Sequence, residues 1–330
     1  MKRCLSCLAT SKEVYCKRCQ KELFDSQKIS YTLDFDKKEF LSTTVALSEH
    51  LSISGVQDKI SLGIDKNRLT PTTKDGLYIL KPTPLMEYGE LIGDVATNEH
   101  FTMQLASQVY KIETAKNGLI AFSDGELAYL TKRFDRVDGK KIKQEDFCSL
   151  AKRTEHTHGK NYKYDYSYEE MGALIKSYLP TYRVEMLKFF RLILFNYLIG
   201  NGDAHLKNFS VSQRPSGEYG LTLAYDLLSS SLHLPNESRT ALEFFKDFET
   251  KSFEANGFYA YDDFLALAQR LGIKEKIAHK VIDEFLSKKL ETLALLERSF
   301  LSSKAKEQYR RLYLDRHKAV SYVSGLRIND

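Results

Sequence analysis

The chain has 330 residues, 42% hydrophobic and 28% charged, with a formal net charge of +5. This is the composition of a globular protein able to bury a large core, which excludes disordered and fibrous classes. No apolar stretch approaches the roughly 18–20 residues that span a bilayer, and the N-terminus has no apolar core for a secretory signal. The expected place is therefore the cytoplasm, with no membrane partner and with mixed charges solvating an ordinary surface.

In chain order, the first signal is cysteine. Cys4, Cys7, Cys16 and Cys19 form two CxxC units within 19 residues. Without a secretion signal this spacing reads as metal ligands before disulfides, and four thiolates fit a closed, structural tetrahedral Zn²⁺ site. Residues 1–25 are expected to form this knuckle, and 26–45 a connector with a short helix. From Leu51 to Leu130 the texture is β-rich: SISGVQDKISLGI and LYILKP read as strands, NEHFTMQLASQVY (98–110) as a helix, and LAYLTKRF (127–134) as a strand again. From Gln144 onward the pattern is mostly helical. Cys148 sits in apolar context and reads as a buried thiol. VEMLKFFRLILFNYLIG is expected to be a buried helix, followed by a hairpin with strands near 209–211 and 221–224. Residues 262–320 carry at least three more amphipathic helices.

The segment 196–230 bears the chemistry. Phosphoryl transfer from ATP needs a carboxylate at the attacking hydroxyl and oxygen ligands for Mg²⁺. Asp203, Asn208 five residues later, and Asp226 after an apolar strand have the order of a protein-kinase catalytic loop and metal site. Asp203 is the candidate base; Asn208 and Asp226 are the candidate Mg²⁺ ligands. Lys81, closing a strand, and Glu99, in the next helix, are at a separation that suits the pair that grips the ATP phosphates, or are an edge lysine and a solvated helix glutamate. Ser54 and Gly55, in SISGVQDK, stand where a phosphate-covering loop would lie. His205 is placed to orient Asp203 or to pack under the loop, and Lys207 to touch the γ-phosphate or face solvent. His156 and His158 lie in a polar, tyrosine-rich loop that reads as flexible rather than metal-binding.

The assembled motifs SISGVQDKISL, YILKP, NEHFTMQLA, YLTKRFDR, QEDFCSLA, LIGNGDAHLKNFS and AYDLLSS resemble the HipA family of bacterial serine/threonine kinase toxins. The resemblance implies an α+β, bilobal, protein-kinase-like fold with a β-rich N-lobe and a helical C-lobe. With the knuckle at 1–25, the N-lobe and hinge would span 26–147 and the C-lobe 148–330. It implies ATP binding by Lys81, and an interlobe hinge at QEDF whose Glu145 and Phe147 backbone groups meet adenine. It implies autophosphorylation of Ser52 or Ser54, whose added dianion would be repelled by ATP and eject the loop. Longer members carry an extra N-terminal subdomain; this chain looks like the shorter HipT-like form. The implied partners are a helix-turn-helix HipB-like antitoxin, DNA only through it, and a small HipS-like protein. The implied substrate is an aminoacyl-tRNA synthetase. Two other readings stand beside this one: an inactive kinase-like scaffold binding antitoxin and DNA, and a small-molecule kinase.

Overall fold

The computed structural model describes residues 2–40, 42, 59–84, 89–137, 139–214 and 216–323. Ser52, Ser54 and Gly55 lie outside the described residues. The fold is mixed, with an N-terminal β-rich part and a C-terminal helical part, as expected.

The N-terminal part is built on five antiparallel strands: β1 (Ile60–Asp65), β2 (Arg68–Pro71), β3 (Tyr78–Lys81), β4 (Asn117–Ala121) and β5 (Leu127–Lys132). Their order is β2-β1-β3-β5-β4. Alternation sends Ile60, Leu62, Tyr78, Leu80 and Leu130 into a core. That core also contains Tyr15, Leu23 and Phe24. The latter two end helix α1 (Lys17–Phe24), which carries Cys19. The knuckle is therefore fused to the sheet by shared apolar packing. Tyr15 and Tyr78 cross the junction, donating hydrogen bonds to the Leu119 and Leu23 carbonyls.

Helix α2 (Val95–Gln108) begins before the residues that the sequence pattern marks, and every residue from Val95 to Ala106 is buried. One side meets the sheet and the other meets the C-terminal core, so its amphipathic pattern is weak.

The C-terminal part packs α3 (Tyr168–Tyr178), α4 (Tyr182–Ile199), α5 (Tyr261–Arg270), α6 (Glu275–Ser287), α7 (Lys289–Glu297) and α8 (Ser303–Ser321) around one core. Ser167 starts α3 with a reciprocal capping box to Glu170. Gly200, in the left-handed region at φ +67°, ends α4 and turns the chain into the 201–208 loop. Three short strands, β6 (Gln144–Asp146), β7 (Ser210–Gln213) and β8 (Tyr219–Leu221), form an antiparallel sheet beside that loop. The expected hairpin is present, with its strands displaced slightly along the chain.

The segment expected as the hinge pairs with the C-terminal sheet. The chain leaves the five-stranded sheet after Lys132, and Gln144–Asp146 pairs with β7 in the C-terminal sheet. Phe147 N–H donates to the Phe209 carbonyl, and the Phe147 carbonyl accepts from Ala151 N–H. Gln213 N–H donates to the Lys143 carbonyl. By antiparallel alternation Glu145, between these two, also turns its backbone toward β7. Glu145 and Phe147 therefore spend their backbone groups inside the protein. On this edge strand the outward-facing backbone belongs to Gln144 and Asp146.

Candidate active site

Lys81 ends β3 with 9% exposure, and Glu99 on α2 has 1%. Lys81 Nζ donates to Glu99 Oε1 at 2.8 Å and to Asp226 Oδ1 at 2.5 Å. Three charges from three separate segments thus meet where the interior opens to the cleft. Burial works against the Lys81 charge, but Asp226 and then Glu99 outweigh it and raise its pKa. Burial pushes Glu99 up to about 7 despite Lys81. Burial also opposes ionisation of Asp226, but the Lys81 ammonium holds its carboxyl below the usual range. Lys59, just before β1, is held below ordinary lysine by burial and by the Lys81 charge. Its place was not evident from the sequence, since only folding brings it to this cleft.

Asp226 adopts φ +59°, a left-handed conformation unusual for a side chain with a Cβ. Such strain clusters at functional sites, where surrounding contacts enforce it. Here those contacts are Lys81 on Oδ1 and Asn208 Nδ2 donating to Oδ2 at 3.1 Å. Asn208 Oδ1 in turn accepts from His205 N–H at 3.2 Å. Asn208 and Asp226 are therefore adjacent, as their spacing predicts, and offer hard oxygen donors suited to Mg²⁺.

Asp203 sits on a loop fixed from several sides. Its N–H donates to Asn201 Oδ1 at 3.2 Å. Gly202 N–H donates to Ser230 Oγ at 2.8 Å, and a Cβ on Gly202 would lie 2.6 Å from the Ser238 carbonyl oxygen. Tyr164 O–H donates to Asp203 Oδ1 at 2.5 Å. The Tyr164 ring stands edge-on to His205, 5.0 Å between centroids. His205 is buried, and burial lowers its pKa; its Nε2 is 3.8 Å from Asp203 Oδ1. It packs beneath the loop beside the carboxylate. Lys207 lies over the Tyr162 ring at 5.1 Å. Sequence reading missed Tyr164, because a Tyr-rich polar segment looks like a mobile loop. The segment is instead docked, with Leu206 N–H donating to the Lys163 carbonyl at 3.2 Å. A groove lined by Asn161, Tyr164, Gly202, Ser238 and Thr240 opens beside Asp203.

Away from this cleft, the Sγ atoms of Cys4, Cys7, Cys16 and Cys19 all lie within 4.8 Å of one another. Cys7 and Cys16 Sγ are 3.8 Å apart, which is about the edge of a tetrahedron with Zn–S bonds of ~2.3 Å. Cys16 N–H donates to Cys4 Sγ at 3.3 Å. Cys16 and Cys19 stand at the start of α1. His156 and His158 are exposed and belong to no such group among the described residues. Cys148 is buried, and burial pushes its thiol up to about 11.

A family profile described as "HipA-like C-terminal domain" matches residues 51–293. A protein of Haemophilus influenzae named "Putative kinase" is 30% identical over 296 residues, covering 84% of each chain. The "Serine/threonine-protein kinase toxin HipA" of Shewanella oneidensis is 29% identical over 253 residues; the match covers 70% of this chain and 55% of that one. Among solved structures, the Shewanella oneidensis HipA, HipB and operator DNA complex aligns with a TM-score of 0.60 at 22% identity, covering 84% of this chain and 70% of that one. The Helicobacter pylori proinflammatory kinase CtkA aligns with a TM-score of 0.53 at 16% identity, covering 82% and 92%. These two support the fold. No helix among the described residues is long and apolar enough to cross a membrane.

Proposed function

We propose, from the premise that this chain belongs to the HipA-like kinase family, that it is an ATP- and Mg²⁺-dependent serine/threonine protein kinase and the toxin half of a toxin–antitoxin pair. The observation that carries this reading is Lys81 held between Glu99 and Asp226, with Asn208 on the second Asp226 oxygen. In a scaffold the buried Lys81–Glu99 pair would bring a desolvation cost without use.

When bound, Mg²⁺ neutralises phosphate oxygens. Asn208 and Asp226 would hold it. Lys81 directs its ammonium to the nucleotide phosphates, and Glu99 keeps that ammonium charged and oriented. Tyr164 fixes Asp203 Oδ1, which leaves Oδ2 to accept the proton of the acceptor hydroxyl. The hydroxyl oxygen bonds to the γ-phosphorus as the bond to ADP breaks. The groove beside Asp203 receives the protein substrate. The outer edge of β6, with the backbone groups of Gln144 and Asp146 rather than those of Glu145 and Phe147, meets adenine.

The finer assignments are part of the same proposal. The substrate is an aminoacyl-tRNA synthetase, and Ser52 or Ser54 is the self-phosphorylated residue. A HipB-like helix-turn-helix antitoxin is the partner, as in the complex of the Shewanella protein, with DNA reached only through it; a small HipS-like protein is the second partner. The four cysteines hold structural Zn²⁺. Transfer of labelled γ-phosphate from ATP·Mg²⁺ to protein, compared between wild type and Asp203→Ala, tests the enzymatic core. Equal labelling by both would overturn it.

A further inference from the structure

Helix α2 shows a polar stripe that phosphate binding does not use. His100, Gln104 and Gln108 are spaced by four residues, so they share one face. His100 and Gln108 bond directly to the first CxxC unit, and Gln104 is linked to it through Asn117. His100 Nε2 donates to the Ser6 carbonyl at 2.7 Å, and His100 is fully buried. Gln108 Nε2 donates to the Cys7 carbonyl at 3.0 Å. Gln104 Nε2 donates to Asn117 Oδ1 at 2.9 Å, while Ser6 Oγ donates to the Asn117 carbonyl at 2.7 Å. Ser6 and Cys7 lie inside the Cys4–Cys7 turn. Leu5 adds a bond from the same turn to β4, its carbonyl accepting from Leu119 N–H at 2.8 Å.

The opposite side of α2 is tied to the C-terminal part. Asn98 Nδ2 donates to the Ser229 carbonyl at 3.0 Å, and Thr102 Oγ1 is 3.2 Å from the Tyr309 hydroxyl. Asp94 makes no side-chain cap on the helix; its carboxylate accepts from Ser302 instead. The helix is therefore clamped by tertiary contacts from two sides. The backbone carbonyls of the Cys4–Cys7 turn make up one jaw, and an ion bound to both of its sulfurs would brace that turn further.

We propose that the Cys4, Cys7, Cys16 and Cys19 cluster is a Zn²⁺ site that acts as a remote positioning element for the phosphate grip, fixing Glu99 through the Ser6–His100 and Cys7–Gln108 bonds. The proposal rests on the reading of Lys81 and Glu99 as that grip. Zinc holds the turn, the turn holds α2, and α2 sets Glu99 against Lys81 Nζ.

The test uses the full chain and three variants: His100→Phe, which keeps a buried ring but removes the donor and no cysteine; Glu99→Gln; and the double variant. Metal content, cooperative melting, and kcat and KM for ATP are measured on each. Wild type and His100→Phe should each carry one zinc per chain. His100→Phe should lower kcat/KM for ATP about tenfold. In the Glu99→Gln background His100→Phe should cost nothing further, because both changes act on one contact. Stripping zinc from wild type with a mercurial thiol reagent should reproduce the His100→Phe loss, while Glu99→Gln should be insensitive to stripping. A wild-type chain without metal, or with iron in place of zinc, overturns the assignment of the ion. Full activity in His100→Phe, or losses that multiply in the double variant, overturn the coupling. A Glu99→Gln variant with wild-type kcat/KM and a zinc-loaded cluster would instead refute the grip reading and leave the metal site standing. Cys16→Ser serves as a fourth variant that removes a cysteine directly, and a folded, zinc-free form with wild-type kcat/KM would also overturn the coupling.

Discussion

The two ends of the cleft are built by different means. At the Lys81 end, charges from β3, α2 and the residue after an apolar strand meet with Lys81 and Glu99 almost fully buried. At the Asp203 end, the carboxylate is 53% exposed, on a loop organised chiefly by its own turn and by a docked tyrosine segment. The first end depends on long-range packing to place groups in low dielectric, where each charge sets the protonation of the others. The second is held by its own turn and by contacts from Tyr164 and Ser230, and its carboxylate stays open to solvent. Substitutions at the two ends should therefore fail differently: the first through stability and nucleotide affinity together, the second through turnover alone.

The largest effect should come at the exposed end. Asp203→Ala should reduce phosphoryl transfer by ~10²–10⁴ with a melting curve near wild type; a parallel collapse in stability would erase the contrast between the ends. Lys81→Met should act on both properties. It strands Glu99 in the interior, and removing one partner of a buried pair costs about 3–5 kcal/mol. Urea unfolding at pH 8 should show that loss, and it should shrink at pH 6 as Glu99 takes up a proton.

The pH dependence follows from the signs of the shifts. The Glu99 pKa is raised in the folded protein to about 7. Stability linked to it is thus full below the ordinary carboxylate range and declines as pH rises through about 7. Asp226 runs the other way: its lowered pKa gives a contribution that is full at neutral pH and lost as acid titrates it. The grip itself needs ionised Glu99. Hence KM for ATP should rise as pH falls from 8 to 6, and Glu99→Gln should flatten that trend; an unchanged slope in the variant would detach Glu99 from the grip. The smallest effect should be that of Tyr164→Phe, a drop in kcat of about tenfold with little change in KM for ATP, consistent with loss of one hydrogen bond to a charged group at roughly 1.5 kcal/mol. A shift in KM for ATP alone would move Tyr164 away from Asp203.

What could be read from the sequence follows the same division. Asp203, Asn208 and Asp226 lie within one stretch whose order matches a kinase catalytic loop, and the structure brings Asn208 and Asp226 into direct contact. The Lys81–Glu99 pair was legible from a strand lysine and a helix glutamate 18 residues apart, and the two do meet. In QEDF the segment could be recognised, but not which of its backbone groups face outward. That depends on the register of β6 against β7, which pairs residues more than sixty positions apart and leaves no mark in the local sequence. Tyr164 was invisible because its role depends on a loop docking across 39 residues. The cysteine spacing announced the cluster directly. Its attachment to α2 runs through backbone carbonyls of Ser6 and Cys7, and no side-chain pattern signals a carbonyl acceptor.

The most direct test is transfer of γ-phosphate from ATP·Mg²⁺, followed by intact-mass analysis of the purified chain and radiolabelling of lysate proteins, for wild type and Asp226→Ala side by side. Wild type should place phosphate on its own chain or on a discrete lysate protein, and Asp226→Ala should place none. Labelling that survives in Asp226→Ala, or a wild type that labels no protein in either assay, would contradict the kinase reading.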